Sequence, residues 1–213
     1  MLEHAFVVDL AFFARVFPHD AVGHAVDEFH HLLVDIDARD DLSVQVHPDD
    51  TFAADVENDR GKTEMWYILE AMPQAEIIYG LREGVSSEDF ARAIDEGWTL
   101  EALHRVKVKT GETYFIPAGE VHAIGAGCLI AEIQQNSDLT YRVYDYDRVG
   151  TDGKQRELHV QKAAAVSRPF DEASINAIRF ANKPRFYAGD CLASCRYFEV
   201  HRLTPEHLGQ YSR

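Results

Sequence analysis

The chain has 213 residues, 46% hydrophobic and 27% charged, enough to bury a core without disulfides and too apolar for a disordered chain. With 21 Lys and Arg against 36 Asp and Glu, its formal charge is −15, which argues against nonspecific nucleic-acid binding and against docking on an anionic membrane. No apolar run reaches the roughly 20 residues that span a bilayer, the N-terminus MLEHAFVVDLAFF lacks a basic region, and Cys128, Cys191 and Cys195 form no C-x-x-C, so a reduced, cytoplasmic protein is expected.

In chain order, Asp9–Phe17 reads as one or two helical turns and Ala25–Val34 as a second apolar stretch, both within an N-terminal arm over 1–36. From Leu42 the texture becomes short β-type runs separated by turn residues. Leu42–His47 (LSVQVH) alternates until Pro48 stops it. Glu64–Glu70 (EMWYILE) and Ala75–Leu81 (AEIIYGL) follow, joined through Met72-Pro73. One helix interrupts them: Ser87 is placed as its N-cap, Glu88 and Asp89 occupy its first turn, Phe90, Ala91 and Ile94 share a face, and Gly97 ends it. Strands resume at Arg105–Lys109, Thr113–Ile116, Val121–Ile124, Cys128–Gln135 and Leu139–Tyr146, with glycine turns at 110–112 and 117–120. Ala163–Asn182 is expected to wrap the sheet as helix or loop. Arg196–His201 is a last strand, whose apolar edge should pair with the main sheet or with a second copy of the chain; a homodimer or a loosely ordered tail is expected there. The pattern is that of an all-β-dominated sandwich or barrel with a few short helices.

Chemistry enters at Gln45-Val46-His47. Residues two apart on a strand share a face, so Gln45 and His47 project together. Either they lie in the interior, where such polar atoms need partners, or they lie wet on an edge strand. Glu64 opens a strongly apolar strand. His122 sits in another, as a hydrogen-bonded core residue or as a ligand. Two imidazoles, a carboxylate and an amide oxygen facing one cavity would suit a borderline cation such as Zn²⁺, with one position left open if the site is catalytic.

At these residues a family likeness appears. LSVQVHPDD (42–50), GKTEMWYIL (61–69), FIPAGEVHAIGAG (115–127) and EIQQNSDLTYRVYDYDR (132–148) resemble the type I mannose-6-phosphate isomerases of the cupin superfamily. The resemblance implies a cupin-type β-barrel (jelly roll) over 37–162, and a C-terminal extension over 163–213 that begins a second, truncated cupin-like domain. It implies one Zn²⁺ per chain, held by Gln45, His47, Glu64 and His122, and interconversion of mannose 6-phosphate and fructose 6-phosphate. It further implies an active site lined by Lys62, Asp138 and Arg142, with Arg142 in the catalytic role.

Such an isomerisation moves one proton between C2 and C1 and another between the two oxygens, through an enediolate whose developing charge needs stabilisation. Arg142 is a fixed cation with a planar donor fork, suited to orienting that charge and poorly suited to carrying a proton. Lys62, or a water held at the centre, is the candidate base. Arg142, Arg148, Lys154, Arg156 and Lys162 outnumber Asp145, Asp147, Asp152 and Glu157 by one, so this stretch is either a local basic rim that meets the sugar phosphate or an ordinary mixed-charge surface loop. The rival reading is a metal-bearing sugar-phosphate binding protein without turnover. A small Fe²⁺ cupin dioxygenase is a third, against which Gln45 counts.

Overall fold

The computed structural model describes residues 11–16, 33–150, 153–184 and 189–203. Its elements in chain order are β1 (Ala11–Val16), β2 (Leu33–Ala38), β3 (Val44–Val46), α1 (Asp50–Glu57), β4 (Glu64–Ala71), β5 (Glu76–Leu81), α2 (Ser87–Glu96), a 3-10 turn (Thr99–Ala102), β6 (Leu103–Lys107), β7 (Thr113–Ile116), β8 (His122–Ile124), β9 (Cys128–Gln134), β10 (Tyr141–Tyr144), α3 (Val160–Val166), α4 (Glu172–Arg179), β11 (Asp190–Ser194) and β12 (Phe198–Leu203). The chain divides into two compact units, Asp27–Ile175 and the combined ends Met1–Val26 with Asn176–Arg213.

The larger unit carries a five-stranded sheet in the order β10-β3-β8-β5-β6 and a four-stranded sheet in the order β2-β9-β4-β7. Alternation along the strands decides what each face meets. Trp66, Ile68, Ile116 and Ile130 of the four-stranded sheet pack with Ile77 and Ile124 of the other, forming the core between the sheets. The opposite face of the five-stranded sheet, through Val44, Val46, Ile78, Ala123, Tyr141 and Val143, packs on Phe90 and Ala93 of α2 and Ala163 of α3. The all-β, cupin-like architecture is as expected. Its hydrogen-bonded ladders are two open sheets rather than a ring closed strand to strand among the described residues.

The α2 helix begins one residue earlier than the sequence reading placed it. Ser86 is the N-cap: its hydroxyl accepts from the Asp89 amide at 3.1 Å, while Asp89 Oδ2 accepts from the Ser86 amide at 3.4 Å. Such a reciprocal box satisfies two donors that a helix start leaves open. Ser87 instead turns its hydroxyl to the Ser167 carbonyl at 2.7 Å. Gly97 ends the helix in the left-handed region, φ 80°, where a side chain is disfavoured.

The smaller unit carries an antiparallel sheet in the order β1-β12-β11. Two expectations are corrected here. Ala11–Val16 is a strand, not helical turns: all six residues pair in register with β12, from Ala11↔Leu203 to Val16↔Phe198. A local apolar pattern of this length cannot separate helix from strand, and the long-range partner decides it. The same ladder shows that the predicted Arg196–His201 strand, observed as β12, pairs with β1 and β11 rather than with the main sheet. The remaining residues of the Asp9–Phe17 and Ala25–Val34 stretches lie outside the described set, Leu33 and Val34 apart, which open β2.

Candidate metal centre

Gln45 on β3 stands directly opposite His122 on β8. With Val44 and Val46 spent on the helix side, the pleat turns Gln45 to the inter-sheet side, and the interior alternative of the sequence reading is the one realised. His47 follows two residues on. From the facing sheet Glu64 reaches inward at the start of β4, in the same row as Trp66 and Ile68. The Trp66 and His122 rings meet edge-on across the gap, 5.4 Å between centroids.

Ligand atoms of His47, Glu64 and His122 all lie within 4.8 Å of one another, and all three residues are buried. His47 Nε2 is 3.1 Å from Glu64 Oε1, and His122 Nε2 is 3.5 Å from Oε2. The other nitrogen of each ring is tied outward: His47 Nδ1 to the Leu139 carbonyl and His122 Nδ1 to the Glu120 carbonyl, both at 2.8 Å. A carbonyl only accepts, so each Nδ1 carries a proton and Nε2 is the nitrogen each ring turns to the centre, free to ligate once unprotonated. The Gln45 amide lies 3.3 Å from His122 Nε2. Turned one way it donates to that bare nitrogen; turned over, it offers an oxygen to the same point.

This donor set fits a cation. His47 Nε2 and both Glu64 oxygens are buried without an aligned hydrogen bond. Acceptors whose hydrogen-bonding capacity is unmet are expensive in an interior, and with Lys62 beside only Oε1, a metal at the point they share would satisfy the rest. Burial works against the Glu64 charge, yet positive charge beside it, of which the Lys62 ammonium is the fixed source, holds it below the usual carboxylate range. Burial dominates at His122 and pushes its imidazole down to about 4, so the ring stays neutral and available as a ligand.

Lys62 arrives by a backbone device. Its amide donates to the Pro48 carbonyl at 3.1 Å, and the chain passes so close there that a Cβ on Gly61 would stand 2.4 Å from the Asp49 carbonyl carbon. Only glycine permits that approach. The side chain is 10% exposed, and its ammonium lies 2.8 Å from Glu64 Oε1.

Arg142 pairs with Gln45 across β10 and β3 and so shares its face. Its guanidinium donates to Ser43 Oγ at 3.4 Å and to the Glu157 carbonyl at 3.2 Å. Asp138 is exposed in the loop before β10, next to the Leu139 carbonyl that orients His47, and no Asp138–Arg142 ion pair occurs among the described residues. Tyr141 is buried with its hydroxyl on Glu57 Oε1 at 2.8 Å, a packing residue as its place in the alternation suggests.

One residue escaped the sequence reading. Glu132, opposite Trp66 in the β4–β9 ladder, is 7% exposed and accepts from Trp66 Nε1 at 2.7 Å. Burial and the nearby Glu64 charge push its carboxyl up to about 8. The signal was a carboxylate inside the apolar run CLIAEIQ, two residues before another inward polar group, Gln134; a charge there needs a reason.

The fold and the inward His–Glu–His group define a sheet-rich protein of cupin-like architecture with a site able to hold a metal ion. No protein-family model matches the chain. Mannose-6-phosphate isomerase ManA of Bacillus subtilis (strain 168) is 51% identical over 141 residues, 66% of this chain and 44% of that protein. Mannose-6-phosphate isomerase of Streptococcus mutans is 47% identical over 131 residues, 62% and 41% of the two chains. The crystal structure of the Bacillus subtilis mannose 6-phosphate isomerase superposes with a TM-score of 0.66 at 35% identity, covering 83% of this chain and 56% of that one. The chain is thus similar to mannose-6-phosphate isomerases over the stretch that carries its four motifs, and it spans less than half the length of these curated proteins.

Proposed function

We propose that this chain is a zinc-dependent aldose–ketose isomerase interconverting mannose 6-phosphate and fructose 6-phosphate. The observation that carries the reading is the convergence of two bare imidazole nitrogens and a carboxylate on one buried point, in a relative of proteins named for that activity. Gln45, His47, Glu64 and His122 would hold the ion, which when bound supplies Lewis-acid polarisation of the sugar's carbonyl and neighbouring hydroxyl.

The chain's own residues supply the rest. Glu132 is buried against Trp66 Nε1, with burial and then the Glu64 charge raising its carboxyl, which makes it the candidate to give and retake a proton. Lys62 is a buried cation beside the centre, placed to stabilise negative charge developing on a sugar oxygen. Arg142 offers a planar fork on the Gln45 face and orients the enediolate or the phosphate. Past the end of β10, Arg148 (2.6 Å) and Arg156 both grip the one carboxylate of Asp145. Together with Arg142 nearby, these guanidiniums would supply positive charge at the rim for a dianionic substrate in an acidic chain.

The deciding experiment is a coupled mannose 6-phosphate assay on the full chain with zinc content measured on the same sample. Turnover by zinc-loaded protein, lost on chelation and restored by Zn²⁺, is expected. Stoichiometric zinc with no turnover would sink the isomerase reading and favour a sugar-phosphate binding protein.

A further inference from the structure

The Pro117–Glu120 turn touches both histidines of the centre. The Gly119 amide donates to the His47 carbonyl at 2.8 Å, and the Glu120 carbonyl accepts the Nδ1 proton of His122, also at 2.8 Å. The segment after α3 holds the turn. The Arg168 amide donates to the Gly119 carbonyl at 3.1 Å, and Arg168 Nε lies 3.4 Å from Oε2 of Glu120, a carboxylate with no exposure to solvent. Two glycines in the left-handed region leave room for this docking. A Cβ on Gly119 (φ +84°) would stand 2.8 Å from the Val166 carbonyl oxygen, and one on Gly80 (φ +90°) would stand 2.5 Å from Glu120 Oε1 and meet Phe170. Ser87 of α2 grips the same segment through the Ser167 carbonyl at 2.7 Å.

We infer that residues 166–170 form a positioning strap for the metal centre, in which Arg168 acts through Gly119 and Glu120 to keep His122 as its Nδ1–H tautomer, with Nε2 bare toward Glu64. The inference rests on the metal reading given above. An imidazole ligates only through an unprotonated nitrogen, and the group that binds the other nitrogen sets which one that is. Here that group is the main-chain carbonyl of Glu120, whose own side chain is the strap's anchor. The peptide plane facing His122 and the carboxylate facing Arg168 belong to one residue, so releasing the anchor frees the plane. Arg168 reaches the ligand only through the turn, which makes it a positioning residue and not a catalytic one.

The test uses the full chain and the variants Arg168→Ala, Arg168→Lys and Ser87→Ala. A long-range ¹H–¹⁵N spectrum of metal-free protein reads the His122 tautomer, and competition with a chromophoric chelator reads Zn²⁺ affinity. Wild type should show protonated Nδ1. Arg168→Ala should show a mixture of tautomers and bind Zn²⁺ about 10–100-fold more weakly, the usual effect of losing an outer-shell partner. Arg168→Lys should recover part of the loss, and Ser87→Ala should move both readouts a smaller distance the same way. A merely structural Arg168 would lower the melting temperature and leave the tautomer and affinity unchanged; that result overturns the strap. Should Arg168→Ala fail to fold, unchanged readouts in Ser87→Ala overturn it equally. If wild type takes up no Zn²⁺, the metal reading fails, and the strap is judged on the tautomer spectrum alone.

Discussion

His47 and His122 lie with ring centroids 4.9 Å apart and planes tilted by 43°, each turned by a carbonyl behind it so that its bare nitrogen faces Glu64. Two rings so aimed, with a carboxylate between them, make a donor set that a shared cation would satisfy. His122→Ala removes one donor and leaves the Glu64 carboxylate less screened. The variant is expected to lose most of its zinc. Elemental analysis after dialysis against a weak chelator checks this, and full stoichiometric retention would contradict the ligand set.

Lys62 and Glu64 form a contact of a different kind, a nearly solvent-free ion pair. Removing one partner of such a pair strands the other charge, which typically costs about 3–5 kcal/mol. Lys62→Met should lower the stability of the metal-free chain by about that amount. Saturating Zn²⁺ should shrink the deficit, because the ion then compensates Glu64. Urea titrations with and without zinc measure both numbers. An equal deficit in the two states would mean that Glu64 is not a metal ligand.

The local half of this site could be read from the sequence, and the long-range half could not. Gln45 and His47 declare themselves by period-2 spacing, Glu64 and His122 by being polar in apolar strands, and Lys62 by the motif around it. Whether Gln45 faced the interior depended on which sheet face meets the helices, which is settled by Val44 and Val46 packing on α2 and α3. Glu132 went unread because a single carboxylate in a strand looks like a solvated face until its partner strand is known. The error at Ala11–Val16 has the same origin: its pairing partner lies nearly two hundred residues away in β12. The N-cap was missed by one residue because Ser86 and Ser87 are equally good capping chemistry, and only the reciprocal bond of Asp89 separates them.

That last distinction is itself testable. Ser86→Ala removes the cap of α2 and should cost about 1 kcal/mol, within the usual range for such caps. Ser87→Ala leaves the box intact and loses one hydroxyl bond to Ser167, so α2 itself should keep its amide protection. Hydrogen exchange at the first turn of the helix compares the two. Equal loss of protection in both variants would contradict the assignment of Ser86 as cap.

Asp145 offers a pH-dependent test away from the metal. Burial alone would raise its carboxyl, but Arg156 and Arg148 outweigh it and the group titrates below its ordinary value. A depressed carboxylate contributes stability that is present above its unfolded value, about 3.9, and is lost as the pH falls through that value toward the folded one. Asp145→Asn should therefore cost on the order of 1–2 kcal/mol at neutral pH, with its arginine partners partly exposed. The gap to wild type should begin to narrow as the pH falls below about 3.9 and keep narrowing in stronger acid. Urea midpoints of the two proteins across pH 3–7 test the sign. A gap that widens in acid would reverse the argument.

Arg142 is the residue on which the proposed reaction turns most directly. It shares the Gln45 face, and its fork is held by Ser43 Oγ on one side and the Glu157 carbonyl on the other. A lysine in its place keeps the charge but offers one ammonium where two divergent donors are needed, so orientation is lost before attraction is. If Arg142 orients the enediolate, Arg142→Lys should lower kcat by about 10²-fold, the scale seen when one donor to a developing oxyanion is removed. KM should change less, since the lost interaction belongs mainly to the transition state. If Arg142 grips the phosphate instead, the substrate and the transition state lose it alike, and KM should rise with kcat nearly unchanged. Steady-state kinetics on zinc-loaded protein separates the two roles. Near-normal values of both parameters would mean that the guanidinium serves only to tie β10 to Ser43 and the Glu157 loop.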